Sequence, residues 1–204
     1  MSAAFTIEQQ DSIRVQLFET GIRLMNEVGV QHMTVSKLTN AAGIAKGSFY
    51  NFFESKEDFV MKLCGYAGEK TQDMFLKHMH GKSSMNTHEY MDFLRDYMKS
   101  EYDLLRGMTV EDFVWIKTHM KDAKPFEPTV LAHTIQTFFQ YVSDVRADID
   151  IGIVVNLIKG IYGMRENRET LIETSLDNSI EIMLRALEIY ISGKGDLISV
   201  TTKC

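Results

Sequence analysis

An all-α fold follows from three features of the 204-residue sequence. Proline, which removes a helical hydrogen bond and collides with the preceding turn, occurs twice, both times within Lys124-Pro125-Phe126-Glu127-Pro128. Apolar residues recur at helical spacing in successive stretches, each bracketed by residues that cap helices. The one β-branched run, Ile149 to Tyr162, exceeds ordinary strand length and finds no partner strand elsewhere in the sequence. The predicted architecture is an N-terminal three-helix module with a helix-turn-helix pattern over residues 1–55, then a larger helical domain over residues 56–204.

The first helix is marked by Ile13, Leu17, Gly21, Leu24, Met25 and Val28 at helical spacing, with Gly29 as its C-cap candidate. Two short pieces follow. Thr34 to Ala42 opens on a capping threonine and closes at Gly43, and Lys46 to Phe52 ends before Ser55. Two helices this short around a glycine turn make a helix-turn-helix. Ser55-Lys56-Glu57-Asp58 reads as a capping box with acidic residues at the positive helix end, so a long helix is expected from there toward His80, broken by Gly81-Lys82-Ser83-Ser84.

Asn86 or Thr87, and the Thr109-Val110-Glu111-Asp112 box, predict helices over about 86–106 and 109–121. After the proline turn a helix is expected over about 127–146. The Ile149 to Tyr162 run is assigned to helix, apolar nearly all round and so covered on both sides. The last helix, about 168–192, carries Leu176, Ile180, Met183, Leu184, Leu187 and Ile191 as a stripe and ends at Gly193-Lys194-Gly195. Two such helices are candidates for a four-helix seam with a second subunit.

Composition excludes several classes. With 45% hydrophobic and 25% charged residues the chain is neither disordered nor collagen-like. Cys64 and Cys204 match no disulfide, metal or redox spacing. No stretch approaches the about 18 apolar residues of a membrane span, and the N-terminus lacks a signal-peptide pattern, so a cytoplasmic, membrane-free protein is expected. His78, His80 and His88 lack the acidic or thiol ligands that would complete a metal set. No nucleophile-base pair, phosphate loop or paired-carboxylate motif is legible, so no catalytic residue, metal or cofactor is assigned.

The net charge of −6 argues at first against nucleic acid. Along the chain it resolves differently. Arg14, Arg23, Lys37 and Lys46 balance Glu8, Asp11, Glu19 and Glu27 over residues 1–53, so the whole excess falls in residues 54–204. From Val28 to Phe53 there is no acidic residue at all, which leaves that face free of repulsion toward phosphate. Within it Lys46, Ser48, Tyr50 and Asn51 supply donors for a major groove, Lys46 to guanine or phosphate and Asn51 to adenine, while Phe49, Phe52 and Phe53 supply the apolar side. Gly47 allows close backbone approach.

Residues Phe18 to Phe59 resemble the DNA-binding domain of the TetR family of bacterial transcriptional regulators. The likeness runs through Gly29, Thr34-Val35, Leu38, Ala42-Gly43-Ile44, Lys46-Gly47-Ser48-Phe49-Tyr50-Asn51, Phe53 and Ser55-Lys56-Glu57-Asp58-Phe59. It implies that Tyr50 and Lys56 hold phosphate and that Thr34 caps its helix beside the DNA backbone. Two positions depart from the family pattern, Ala45 where serine is common and Phe52 where histidine or tyrosine is common. Thr39 also replaces a usual alanine.

The same resemblance implies a homodimer through the two C-terminal helices on palindromic double-stranded DNA. A small-molecule effector in the larger domain would change the separation of the recognition helices, with the helix after Lys56, which contains Gly65 and Gly68, as lever. Phe93, Tyr97, Tyr102, Trp115, Met120, Phe138, Tyr141 and Tyr162 mix apolar bulk with donors and are the candidates for a mainly apolar effector site. The sum is a ligand-responsive repressor. The alternative is a helical ligand-binding protein or enzyme whose N-terminal module has lost its DNA function.

Overall fold

The computed structural model describes residues 6–120 and 127–195. Met1 to Phe5, the Lys124-Pro125-Phe126 part of the proline segment and Cys204 lie outside the described residues. Nine α-helices occur among the described residues: α1 (Ile7–His32), α2 (Val35–Ala41), α3 (Lys46–Phe49), α4 (Lys56–Met79), α5 (Thr87–Tyr97), α6 (Val110–His119), α7 (Pro128–Phe139), α8 (Ile151–Glu166) and α9 (Glu173–Ser192). Short 3-10 turns occupy Leu104–Gly107 and Arg168–Thr170. No helix among them is long and apolar enough to cross a membrane.

The chain divides into two compact units, Met1–Lys70 with Glu101–Pro125, and Thr71–Ser100 with Phe126–Cys204. The sequence suggested a DNA-binding stretch over 1–55 and a larger one over 56–204. The Leu104–Gly107 turn and α6 pack on α1.

In the first unit α1 begins at Thr6, whose hydroxyl accepts the Gln9 N–H at 3.2 Å while the Gln9 side chain accepts the Thr6 N–H at 2.9 Å. The helix breaks at its expected end, Gly29, where φ is +76°, and a further turn runs on to His32. Thr34 caps α2 by accepting the Lys37 N–H at 3.1 Å, and Gly43 closes that turn at φ +67°. Ser55 caps α4 as read, accepting the Asp58 N–H at 3.1 Å, while the Asp58 carboxylate reaches one residue further back to the Glu54 N–H at 3.0 Å.

The helix expected over 86–106 stops at Tyr97. Beyond it, Asn26 donates to the Glu101 carbonyl at 2.8 Å, and Gly107 lies so close to the Asn26 backbone that an added Cβ would be 2.6 Å from its carbonyl oxygen. Packing on α1 therefore overrides helical spacing in this stretch.

In the second unit α5 carries the Asn86–Glu89 capping box. The helix expected over 127–146 ends at Phe139, because the next residues pair with another segment. Met85 donates to the Tyr141 carbonyl at 2.9 Å and accepts from the Ser143 N–H at 2.8 Å, the one isolated β-bridge among the described residues. The β-branched run is helical, capped by Asp150 accepting the Gly152 N–H at 2.7 Å. Its Val154, Val155, Ile158 and Ile161 are buried, whereas Ile153 is exposed and Leu157 half-buried. The stripe on α9 is buried at Leu176, Ile180, Leu184, Leu187 and Ile191, and Gly193 closes the helix in the left-handed region at φ +64°.

Candidate nucleic-acid interface

The α2–turn–α3 segment has an apolar back and a polar front. On the back, Leu38, Ala42, Phe49 and Phe53 are buried. Phe49 and Phe53 meet at 5.2 Å, Phe53 and Phe59 edge to face at 4.9 Å, and Phe18 joins them at 5.6 Å from Phe53. A helix of four residues contributes little stability of its own, so this ring cluster is what seats α3. Gln16 adds a polar tie by donating to the Ala42 carbonyl at 2.8 Å. Thr39, the departure from alanine, is buried and satisfied, its hydroxyl donating to the Val35 carbonyl at 2.9 Å.

On the front, Thr34, Lys46, Gly47, Tyr50 and Asn51 are exposed and Ser48 is half-buried. The Tyr50 ring rests edge-on against Phe49 at 5.3 Å yet remains 53% exposed, so its position is fixed while its hydroxyl reaches outward. Nothing of the protein lies within 4 Å of where a Cβ on Gly47 would be. Its bareness serves the outer face rather than internal packing. Ala45 precedes α3 with no side-chain cap, as expected where a serine is missing. Phe52 is turned inward, with the Arg14 guanidinium 5.9 Å from its ring centroid.

Lys56 is held differently from its neighbours. Its ammonium donates to the Gln31 carbonyl at 3.1 Å and lies 4.1 Å from the Trp115 ring centroid. Burial lowers its pKa, opposed by the charges of Glu57 and Asp112. His119 stacks on the other residue of this pair, its ring 4.7 Å from that of Trp115. Asp112, on the first turn of α6, is 1% exposed. Its carboxylate accepts the Gln31 N–H at 2.7 Å through one oxygen, and the Thr109 N–H at 2.9 Å and Thr109 hydroxyl at 3.1 Å through the other. The capping box at Thr109 was readable; the bond to Gln31 was not.

The aromatic candidates for an effector site do not fall in one place. Tyr102, Trp115 and Met120 belong to the first unit, Phe93, Tyr97, Phe138, Tyr141 and Tyr162 to the second. In the second unit Phe93 and Phe138 meet at 5.5 Å and Phe93 and Tyr97 at 6.2 Å. Their hub is Phe75, 5.2 Å from Phe93, 4.6 Å from Phe138 and 5.8 Å from Tyr141. Phe75 was not among the candidates, although Phe59, Leu63, Ala67, Phe75 and Met79 fall four or eight residues apart along α4. Tyr162 packs against the same core, with the Arg165 guanidinium 5.8 Å from its ring centroid. In the first unit the Tyr66 hydroxyl donates to Glu19. Burial first, then the carboxylates of Glu19 and Glu101, raise the pKa of Tyr102.

Among the described residues no group of three or more His, Cys, Asp or Glu could hold a metal ion. His78 pairs with Asp96 at 3.1 Å, and His88 with Glu188 at 2.8 Å. Burial pushes the Cys64 thiol up to about 12, far from the thiolate form needed for reactivity.

Comparison with known proteins bears on this face. Residues 17–62 match the family described as bacterial regulatory proteins, tetR family. Over 47 residues the chain is 47% identical to the HTH-type transcriptional repressor DhaR of Mycobacterium sp. (strain GP1), covering 23% of this chain and 24% of that one. Over 51 residues it is 35% identical to the uncharacterized HTH-type transcriptional regulator YerO of Bacillus subtilis (strain 168), covering 25% and 18%. The chain thus spans a quarter or less of the length of the curated relatives it matches. Across nearly its whole length it shares a fold with a TetR family transcription regulator from Marinobacter aquaeolei VT8, with a TM-score of 0.55, 15% identity and coverage of 92% of this chain and 99% of that one.

Proposed function

We propose, on the premise that this chain belongs to the TetR family of bacterial regulatory proteins, that it is a sequence-specific DNA-binding repressor released by a small, mainly apolar molecule. One observation carries the DNA reading. The segment free of acidic residues, Val28 to Phe53, is the segment whose front exposes Thr34, Lys46, Gly47, Tyr50 and Asn51 while its phenylalanines are buried behind them. Tyr50, Thr34 and Lys56 hold phosphate and set the register; Lys46, Ser48 and Asn51 meet base edges. With few cations, binding is steered by fit more than by charge, and the salt slope is shallow.

Two copies are needed, because a palindrome presents its half-sites about 34–36 Å apart. The pairing surface is assigned to α8 and α9, where Ile153 is exposed and Leu157 and Met183 are half-buried. The effector is assigned to the aromatic group of the second unit, Phe93, Tyr97, Phe138, Tyr141 and Tyr162. A coupling of about 1–3 kcal/mol between effector and operator is enough for regulation.

Selection of bound duplexes from random DNA, with and without a metabolite extract, tests this reading. An enriched palindrome released by a component of the extract is expected. Absence of any enriched duplex refutes DNA reading, and a palindrome indifferent to every metabolite refutes the effector. Tyr50→Ala and Lys56→Ala should each weaken binding to the selected duplex while the protein stays folded; unchanged affinity in both removes those two contacts from the interface.

A further inference from the structure

We infer that Asp112, about sixty residues beyond the helix-turn-helix, is a positioning residue for DNA reading: it holds the backbone just before α2 through the Gln31 N–H. The inference rests on the DNA-binding reading above and adds to it a residue outside the reading helices.

The geometry is specific. α1 bends at Gly29, so the segment Val30 to Met33 that leads into the Thr34 cap leaves the straight helical path. Three bonds then converge on that segment or on its holder. Asp112 accepts the Gln31 N–H at 2.7 Å, Lys56 donates to the Gln31 carbonyl at 3.1 Å, and Met33 donates to the Gly29 carbonyl at 3.1 Å. Gln31 is thereby gripped at both ends of its peptide frame, from α6 on one side and α4 on the other. Gly29 is built for this approach, since a Cβ there would be 2.3 Å from one Asp112 oxygen and 2.6 Å from the other. Three residues further on, Thr34 fixes the start of α2. The direction in which α2, and after it α3, leaves α1 is therefore set in part by a buried carboxylate.

The carboxylate is suited to the task and its amide is not. Both Asp112 oxygens accept from backbone N–H groups, that of Gln31 on one and that of Thr109 on the other. Asp112→Asn keeps the shape but turns an NH2 group toward one of these donors. It also removes the negative charge that faces the Lys56 ammonium. Thr109→Ala is the matched control: it takes away the cap hydroxyl of α6 and one bond to Asp112 but leaves the Gln31 contact in place.

The test uses the full chain and a duplex selected by the wild-type protein. Affinity is measured for that duplex and for an unrelated one, with amide hydrogen exchange at Gln31 and the denaturation midpoint recorded beside it. Asp112→Asn should lose about tenfold or more in affinity for the selected duplex with little change on the unrelated one, and the Gln31 amide should lose protection. Thr109→Ala should lower the midpoint while affinity for the selected duplex stays within about twofold. Equal loss in both variants, or unchanged specific affinity in Asp112→Asn, overturns the inference while leaving the DNA reading intact. A Gln31 amide unprotected in the wild type overturns it without reference to DNA. Failure of the wild type to select any duplex overturns both.

Discussion

In the first unit α2 and α3 are seven and four residues long, while α8 and α9 of the second are sixteen and twenty. Burial follows the same division. Of the five polar or charged side chains buried among the described residues, Thr20, Thr39, Asp103 and Asp112 lie in the first unit and Thr87 alone in the second. The second unit pairs its half-buried charges, for example Arg95 of α5 clasping Glu181 of α9 through two nitrogens at 3.0 and 3.2 Å. Long helices bury enough apolar area to be placed by it. Short ones are not, and the first unit places them with a ring cluster and directional bonds. The lesson is that a reading head of two small helices is set by specific ties rather than by area.

The sharpest test of that contrast removes one ring from each unit. Phe49→Ala and Phe75→Ala both delete a buried phenylalanine and should each cost about 3–5 kcal/mol. Trp115, the single tryptophan, lies in the first unit and reports the first loss through its emission during denaturant titration; helical circular dichroism reports the second. Phe49→Ala should also abolish binding to the selected duplex. A Trp115 transition unmoved by Phe49→Ala would show that the rings do not seat α3.

Next in size is a pair of glycines in the left-handed region. Gly29→Ala meets both an unfavourable φ and the Asp112 carboxylate, and should cost roughly 2–3 kcal/mol. Gly193→Ala meets only the φ, its nearest neighbour being Arg146 Cβ at 3.6 Å, and should cost roughly 1–2 kcal/mol. Equal losses by chemical denaturation would mean that the Asp112 approach adds nothing.

Much of this was legible beforehand. Every helix N-terminus marked by a cap residue, at Thr34, Ser55, Asn86 and Thr109, was found where the sequence put it, because capping is a local bond between residues three apart. Helix ends fared worse wherever distant segments intervene, at Tyr97 and Phe139. The apolar back of the helix-turn-helix, Phe49, Phe52 and Phe53, was legible from residue type, polar donors standing beside phenylalanines. The Gln31–Asp112 bond was not, since it joins a backbone N–H, which every residue but proline has, to a carboxylate already explained by its cap. Nor was the company of Trp115 legible, which turned out to be Lys56.

Smaller gains are expected where the first unit leaves helices unaided. Ala45→Ser supplies the missing cap of α3 and should stabilise by about 1 kcal/mol in thermal denaturation. Gly65 and Gly68 of α4 were expected to allow close packing or bending. Nothing lies within 4 Å of a Cβ at either, so close packing does not require them. Gly65→Ala and Gly68→Ala should each stabilise by up to about 1 kcal/mol. If either variant instead loses effector-driven release from DNA, bending at that position is part of the response.

The smallest effect belongs to the second unit. The hydrogen bond that His88 donates to Glu188, then the charges of Glu188 and Asp92, raise the pKa of His88 above 6.5. A raised histidine favours the folded state while it is protonated. Its contribution is full below pH 6.5, fades as pH rises through the elevated folded value, and amounts to about a few tenths of a kcal/mol at this exposed site. Glu188→Gln should flatten that slope in denaturation midpoints measured from pH 5 to about 8. A slope that survives the substitution would assign it to another group.

The bond from Gln31 to Asp112 spans 81 positions of the chain. During synthesis, residues 71–100, which belong to the second unit, leave the ribosome before residues 101–125, which finish the first. The N-terminal helices therefore emerge early, and the carboxylate that bonds Gln31 follows only after residues of the second unit. A product released prematurely after Lys70 carries the whole helix-turn-helix and none of the carboxylate that aims it.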